Sequence, residues 1–225
     1  VTITPKSIIY VNLTFTYPAP APWNNTNFNP DAGKEIADLK NDVNQPTGIN
    51  MSVTMYLNGQ NDMGMTSGSG VFPASVMRSC YWIDRLQQAQ FKLTGLNHSK
   101  RYRIGFFGSI GPGWDGDFTA VYSIGNRSVY LNSYRNDSEV SYIGDVQPDE
   151  NGELLLDIST TPAAQYGFTT AIVIQAYDDV TGGTVMNRMN DGNGDEQLVT
   201  DVPVDAALQA LTAASEDELK KVRIQ

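Results

Sequence analysis

Two tryptophans in this 225-residue chain stand beside side chains that can hydrogen-bond. Trp23 precedes Asn24 and Asn25 in Pro22-Trp-Asn-Asn-Thr26, and Trp114 precedes Asp115 and Asp117 in Gly113-Trp-Asp-Gly-Asp117. A pyranose ring offers an apolar C–H face and a hydroxyl edge, so an indole flanked by amides or carboxylates can stack on the first and bond the second. These six residues are the candidate ligand-binding set, and the loops that carry them are expected to form the ligand-facing surface. Each also has a plainer reading. Pro-Trp-Asn-Asn can pin a loop against a sheet edge, and the aspartates around Gly116 can be a solvated turn. The third tryptophan, Trp82, lies in the apolar run Cys80-Tyr-Trp-Ile83 and is read as core.

Other chemistries find little support. His98, the one histidine, sits in Asn97-His98-Ser99 between breaker residues, a poor place for the base of a hydrolase triad. One His and one Cys leave too few ligands for a zinc site. Asp191, Asn193 and Asp195 match the first three oxygen positions of a calcium loop, but Glu196 replaces its glycine and Val202 its bidentate glutamate, so the run reads as an acidic linker. No metal ligand and no cofactor is assigned. Cys80 has no intrachain disulfide partner and reads as a small buried hydrophobe. Asp and Glu number 25 against 15 Lys and Arg, and the net charge of -10 opposes nucleic acid and anionic membrane surfaces, so a neutral ligand fits better. No apolar run approaches the roughly 20 residues needed to span a bilayer. Six Asn-x-Ser/Thr sequons, at Asn12, Asn24, Asn50, Asn97, Asn126 and Asn136, are read as incidental products of an Asn- and Thr-rich chain.

The elements that would position these residues are strands. Ile8–Tyr17, Ile49–Leu57, Gln90–Leu96, Tyr102–Ser109, Phe118–Ile124, Arg127–Asn132, Val140–Val146, Glu153–Ile158 and Thr169–Tyr177 are rich in β-branched and aromatic residues and bounded by Gly, Pro and Asn. Gln90–Leu96 with Tyr102–Ser109, and Val140–Val146 with Glu153–Ile158, read as hairpins; Gly125-Asn126 reads as the tight turn of a third. Ile36 and Leu39 suggest one short helical turn over Lys34–Asn41. Turn signals about every ten residues predict an all-β, jelly-roll sandwich of two antiparallel sheets over 1–180, with Ile8–Phe15 and Thr169–Tyr177 both in its core. Residues 181–225 read as an acidic Gly/Asp-rich linker and tail with short helical turns, adding little to that core.

Tyr10-Val-Asn12, Pro22-Trp-Asn-Asn-Thr26, Leu93-x-Gly-Leu96, Phe106-Phe-Gly-Ser109, Tyr122-x-Ile-Gly125, Pro148-x-x-x-Gly152 and Tyr166-Gly…Ile172-Val-Ile174 together resemble the galactose-binding-like, malectin-like jelly-roll domains of bacterial secreted surface proteins and polysaccharide-degrading enzymes. The likeness runs from about Ile8 to Tyr177. It implies a β-sandwich attached to other modules, secreted or at the cell surface, that binds a glycan or polysaccharide without catalysing a reaction. It also allows a structural calcium held by backbone carbonyls. Such domains often carry Gly-Ser-Arg after the Phe-Phe strand, whereas this chain has Gly108-Ser109-Ile110, so any ligand role of that arginine is lost here. The alternative is a structural or adhesion module that contacts other modules or surface proteins.

Overall fold

A computed structural model describes residues 4–67 and 69–178. The acidic tail, its calcium-like run and its expected helical turns lie outside the described residues, and everything below belongs to the unit Pro5–Asp178. Fourteen strands and one helical turn follow in order: β1 (Ser7–Asn12), β2 (Trp23–Asn25), β3 (Glu35–Ile36), β4 (Asn50–Met55), β5 (Gly59–Asn61), α1 (Ala74–Met77), β6 (Cys80–Asp84), β7 (Ala89–Thr94), β8 (Arg101–Phe107), β9 (Thr119–Ile124), β10 (Arg127–Asn132), β11 (Ser141–Val146), β12 (Leu154–Thr160), β13 (Tyr166–Thr169) and β14 (Ala171–Tyr177).

The expected all-β sandwich is what these strands build. A five-stranded sheet runs β11-β8-β14-β1-β2 and a six-stranded sheet runs β10-β9-β12-β7-β4-β3. Period-two alternation explains why they face each other. In β7, Ala89, Phe91 and Leu93 are buried, and in β12, Leu154, Leu156 and Ile158 are buried, with polar neighbours turned outward. From the other sheet come Ile9, Val11, Tyr102, Ile104, Phe106, Ile172 and Ile174, all in the same apolar core. Phe106 of β8 stacks on Tyr122 of β9 across the gap, ring centroids 4.5 Å apart and 6° from parallel. β1 and β14 pair directly, Ser7 against Ala176 through Asn12 against Ala171, so both expected core strands meet in one ladder.

A third, three-stranded sheet, β13-β6-β5, was not foreseen. Its strands are short, and β5 lies inside a stretch that reads as a Gly/Asn loop. In β6, Tyr81 and Ile83 turn into the main core, while Cys80 and Trp82 turn to the opposite side. The burial of Cys80 expected from sequence is complete, and burial pushes its thiol pKa up.

Five expectations are corrected. β7 and β8 are not a hairpin: β7 pairs with β4 and β12, β8 with β11 and β14. Nor are β11 and β12, which lie in different sheets. The links after Thr94 and after Val146 are long enough to cross the roughly 10 Å between packed sheets, and a strand buries the same alternate residues whichever sheet it joins. No helical turn forms over 34–41; Glu35–Ile36 pairs with β4, and Asp38 has a left-handed φ of 51°. Leu39 is buried nonetheless. The first strand stops at Asn12 rather than Tyr17, and Met55 leaves the buried face of β4 because the register slips between Val53 and Met55. The Gly125-Asn126 turn is as expected: Ile124 pairs with Arg127, and Gly125 has φ 59° at the first central position of the two-residue loop.

Gly95, at the start of the crossing between sheets, has φ 77°, and a Cβ there would lie 2.2 Å from the Gly48 carbonyl oxygen. Gly125 has only the dihedral constraint, with nothing within 4 Å of its Cβ position. Gly95→Ala is therefore expected to cost about 2–4 kcal/mol in urea unfolding, against about 1 kcal/mol for Gly125→Ala. Equal losses would show that the close approach to Gly48 is unimportant.

Candidate functional site

The structure takes the two indoles apart. Trp23 sits on β2, which runs parallel to β1 with Tyr10 opposite Trp23 and Asn12 opposite Asn25. The amides of Asn24 and Asn25 make this pairing possible so close to three prolines. Asn24 Nδ2 donates to the carbonyls of Tyr10 (3.0 Å) and Lys40 (2.8 Å), and its Oδ1 accepts from Lys40 N (2.8 Å). Asn25 Oδ1 accepts from Asn12 Nδ2 and from Ala19 N, both at 2.8 Å, while its Nδ2 donates to Ala19 O at 2.9 Å. Thr26 completes the clip: Thr14 N donates to its Oγ1 at 2.8 Å, as does the Tyr81 hydroxyl at 2.7 Å. The sequence motif is thus a strap that supplies, from side chains, the hydrogen bonds that prolines cannot. Trp23 itself is half-buried, 5.2 Å from the Tyr10 ring and edge-on to Phe72 at 5.1 Å.

Trp114 belongs to a different group. It is half-buried on the loop between β8 and β9 and meets Tyr166 (5.9 Å), Phe118 (6.3 Å) and Phe168 (6.2 Å) at steep ring angles. Trp82 adds an edge-on contact to Tyr166 at 5.7 Å, and Tyr134 leans on Phe118 at 6.3 Å. Phe118, Phe168, Cys80 and Ile110 are the buried floor; Trp82, Trp114, Tyr134 and Tyr166 are the partly exposed layer above it. The three-stranded sheet makes this arrangement. Phe168 pairs opposite Trp82 and Tyr166 opposite Asp84, which turns one face of the sheet into an aromatic patch while the other closes the main core. No ring contact joins Trp23 to this patch, so the two loops do not make one aromatic surface.

Polar groups surround the patch. Asp115 is exposed. Asp117 Oδ1 accepts from Thr119 N at 2.9 Å, and Oδ2 has no partner among the described residues. The Gln165 amide lies over Gly116, where a Cβ would come within 2.4 Å of its nitrogen, and the Arg135 guanidinium stands 5.1 Å from the centre of the Tyr134 ring. Ile110 is fully buried beneath the patch and bridges to Tyr134. The Trp114 Nε1–H is buried with no acceptor among the described residues. Rings with apolar faces, ringed by an amide, carboxylates and a guanidinium, can stack on a sugar and bond its hydroxyls. Sequence reasoning missed Trp82, Tyr134, Gln165 and Tyr166. The alternation Tyr81-in, Trp82-out was available to it, but Phe168, the pairing partner of Trp82, lies 86 residues downstream, just ahead of the expected strand Thr169–Tyr177.

His98 is exposed in its turn, its carbonyl accepting from Gln147 Nε2. Among the described residues no three His, Cys, Asp or Glu side chains come together as a metal-ligand group, and no helix is long and apolar enough to cross a membrane. Two of the sequons cannot carry a glycan without unfolding. Asn12 is fully buried, and the Asn136 amide is bonded to the carbonyls of Gly108 and Glu139 at 2.9 Å each.

Asn25→Ala would leave the Asn12 amide with only its bond to the Tyr17 carbonyl and strand both backbone groups of Ala19, and is expected to cost about 2–4 kcal/mol of stability. Asp115→Ala, at an exposed position, should change stability by less than about 0.5 kcal/mol. Chemical denaturation of the two variants checks the contrast; a neutral Asn25→Ala would remove the clip from the account of the fold.

No protein-family model matches this sequence, and no curated protein does. The chain is similar to a chain in the crystal structure of the plant peptide RALF23 in complex with FER and LLG2, with 12% identity and a TM-score of 0.43 over 85% of this chain and 44% of that one. It is also similar to TmCBM61 in complex with β-1,4-galactotriose, with 14% identity and a TM-score of 0.32 over 56% of this chain and 86% of that one. The chain thus spans less than half the length of the first of these.

Proposed function

We propose that this chain is a non-catalytic glycan-binding module of a larger secreted or cell-surface protein, and that the aromatic patch around Trp114 is its sugar-contacting surface. One observation carries the reading: four aromatic side chains from β6, β13 and two loops stay half-exposed while packed on a fully buried Phe118–Phe168 floor. Rings that only filled a core would be covered. Trp82 and Trp114 are each held edge to face by Tyr166, and Tyr134 tilts on Phe118, which fixes their orientation at low entropic cost to a ligand. Asp115, Asp117 and Gln165 supply acceptors and donors at the rim, with Asp117 tethered through one oxygen and open at the other. The Asn24 and Asn25 amides belong to the β1–β2 clip and are left out of this surface.

The test is a glycan array of neutral polysaccharides probed with the protein, followed by calorimetry on the best ligand. Trp114→Ala is expected to weaken binding at least about tenfold, the loss of a stacked ring of about 1–3 kcal/mol, and Asp115→Ala to weaken it without changing stability. If Trp114→Ala does not fold, the Asp115→Ala variant alone decides. No array signal, together with tight capture of a protein partner, would replace the glycan reading with that of an adhesion module.

A further inference from the structure

The outer face of the five-stranded sheet carries a second set of aromatic side chains. Register places Tyr142, Gly105, Val173, Tyr10 and Trp23 in one row across its five strands. The adjacent row on the same face holds Arg103, Gln175 and Ile8, and the next holds Arg101 opposite Tyr177. Phe72, Val76 and Met77 cover the Phe107–Ala171 end of this face. Over the rest, Tyr10, Trp23, Tyr142, Tyr177, Gln175 and Arg103 are half-exposed.

Two features set this face apart from an ordinary solvated one. First, the Tyr142 ring lies on the sheet itself: Gly105 is buried, and a Cβ there would come within 2.5 Å of Tyr142 Cε1. Second, the Arg103 guanidinium is held 3.8 Å from the Tyr142 ring centre, yet among the described residues no carboxylate pairs with it. Arg101, by contrast, has Asp145 at 3.8 Å. Burial pushes the Tyr142 phenol up, the Arg103 charge opposes this, and the Tyr10 and Tyr177 phenols add to it. A half-buried, pre-oriented guanidinium without an anion, in a chain of net charge -10, is a specific local exception to the overall field.

We propose that this face binds an acidic polysaccharide through a hexuronate residue, its carboxylate on the Arg103 guanidinium and its neighbouring sugar rings against the Tyr10, Tyr142 and Trp23 aromatics. The Gln175 amide and the Tyr10 and Tyr177 hydroxyls supply neutral partners for sugar hydroxyls. Arg103 on β8 and Tyr10 on β1 are two strands apart, about 10 Å, so an oligosaccharide fits better than a single residue. Asp42 fixes the polarity. It lies at the β1 side, where its Oδ1 accepts from Ile8 N at 3.1 Å and its charge helps raise the Tyr10 phenol, so the ligand carboxylate belongs at the Arg103 side. This site is independent of the one at Trp114.

Trigalacturonate is the probe, with galactotriose as its neutral counterpart, titrated into the whole chain by calorimetry and by amide NMR. Trigalacturonate is expected to bind with shifts at Tyr10, Arg103, Tyr142 and Gln175. Arg103→Gln should weaken it at least about tenfold, as loss of a charge-assisted bond requires, while Trp114→Ala leaves it unchanged. Tyr177→Phe should weaken it less. Should Arg103→Gln fail to fold, the shift map of the unaltered protein and the Tyr177→Phe variant decide. Absence of binding, equal affinity for galactotriose, shifts centred on Trp114, or equally tight binding of oligoglutamate would each overturn the proposal; the last would assign the face to acidic peptides. Loss of neutral-glycan binding in Trp114→Ala with trigalacturonate binding intact separates this site's fate from that of the first.

Discussion

Everything in this sandwich hangs on the ladder between its first and last described strands. β1 and β14 pair over six residues, and β14 in turn pairs with β8 over seven, so the middle of the five-stranded sheet joins the first described strand to one that follows it by 159 to 169 residues. Without that ladder Ile9 and Val11 on β1 are not joined to Ile172 and Ile174 on β14 in one inner face, and the row through Tyr10 and Trp23 ends at β1. Such long-range pairing delays the reward for closing the chain, which is the general reason sandwiches of this kind fold slowly and as one unit. The Asn24–Asn25–Thr26 clip then extends the sheet by one parallel strand where Pro18, Pro20 and Pro22 would otherwise end it.

Both candidate surfaces arise because a sheet has two faces and the core needs only one. The three-stranded sheet gives Tyr81 and Ile83 to the core and is left with Cys80, Trp82, Tyr166 and Phe168 on its reverse; Trp114 and Tyr134 arrive from loops to cover the most apolar of them. The five-stranded sheet gives up its inner row likewise and is left with tyrosines, Trp23 and two arginines outside, the Phe72–Met77 segment covering only its Phe107–Ala171 end and one edge of Trp23. The six-stranded sheet differs: its outer positions include Gln90, which bonds Asp157, Lys92, which pairs with Glu153, and Ser123, which bonds Ser128. A polar outer face is the usual state of an antiparallel sheet, so the aromatic ones are the departures that call for a partner.

The fold class was legible because alternation survives in single strands: Ala89-Phe91-Leu93 and Leu154-Leu156-Ile158 announce their buried faces without reference to anything else. Which strands pair was not legible. β7 followed by β8 looks the same whether the two lie side by side or face each other across the core, since either arrangement buries the same residues. Ile36 and Leu39 deceived for a related reason, as two buried positions three apart satisfy a helix or an irregular crossing equally. Of the site residues, Trp114 and its aspartates were visible as a motif. Their companions were not, because Trp82 and Tyr166 become neighbours only through the β6–β13 ladder. Asn24 and Asn25 were visible for their chemistry, and that chemistry is directed at the backbone: an amide recognises a peptide group as readily as a hydroxyl.

The antiparallel sense of the β1–β14 ladder has a mechanical corollary. Ser7 lies opposite Ala176, at the end of the ladder where β1 begins and β14 finishes. Tension applied between those two residues pulls on the hydrogen bonds along their own direction and one after another, as a zip is opened, whereas a load between Asn12 and Ala176, at opposite ends of the two strands, would have to shear the whole set together. A protein strung through these two points would part at its central sheet under modest force, opening the aromatic row of Tyr10 and Trp23 before the six-stranded sheet gave way.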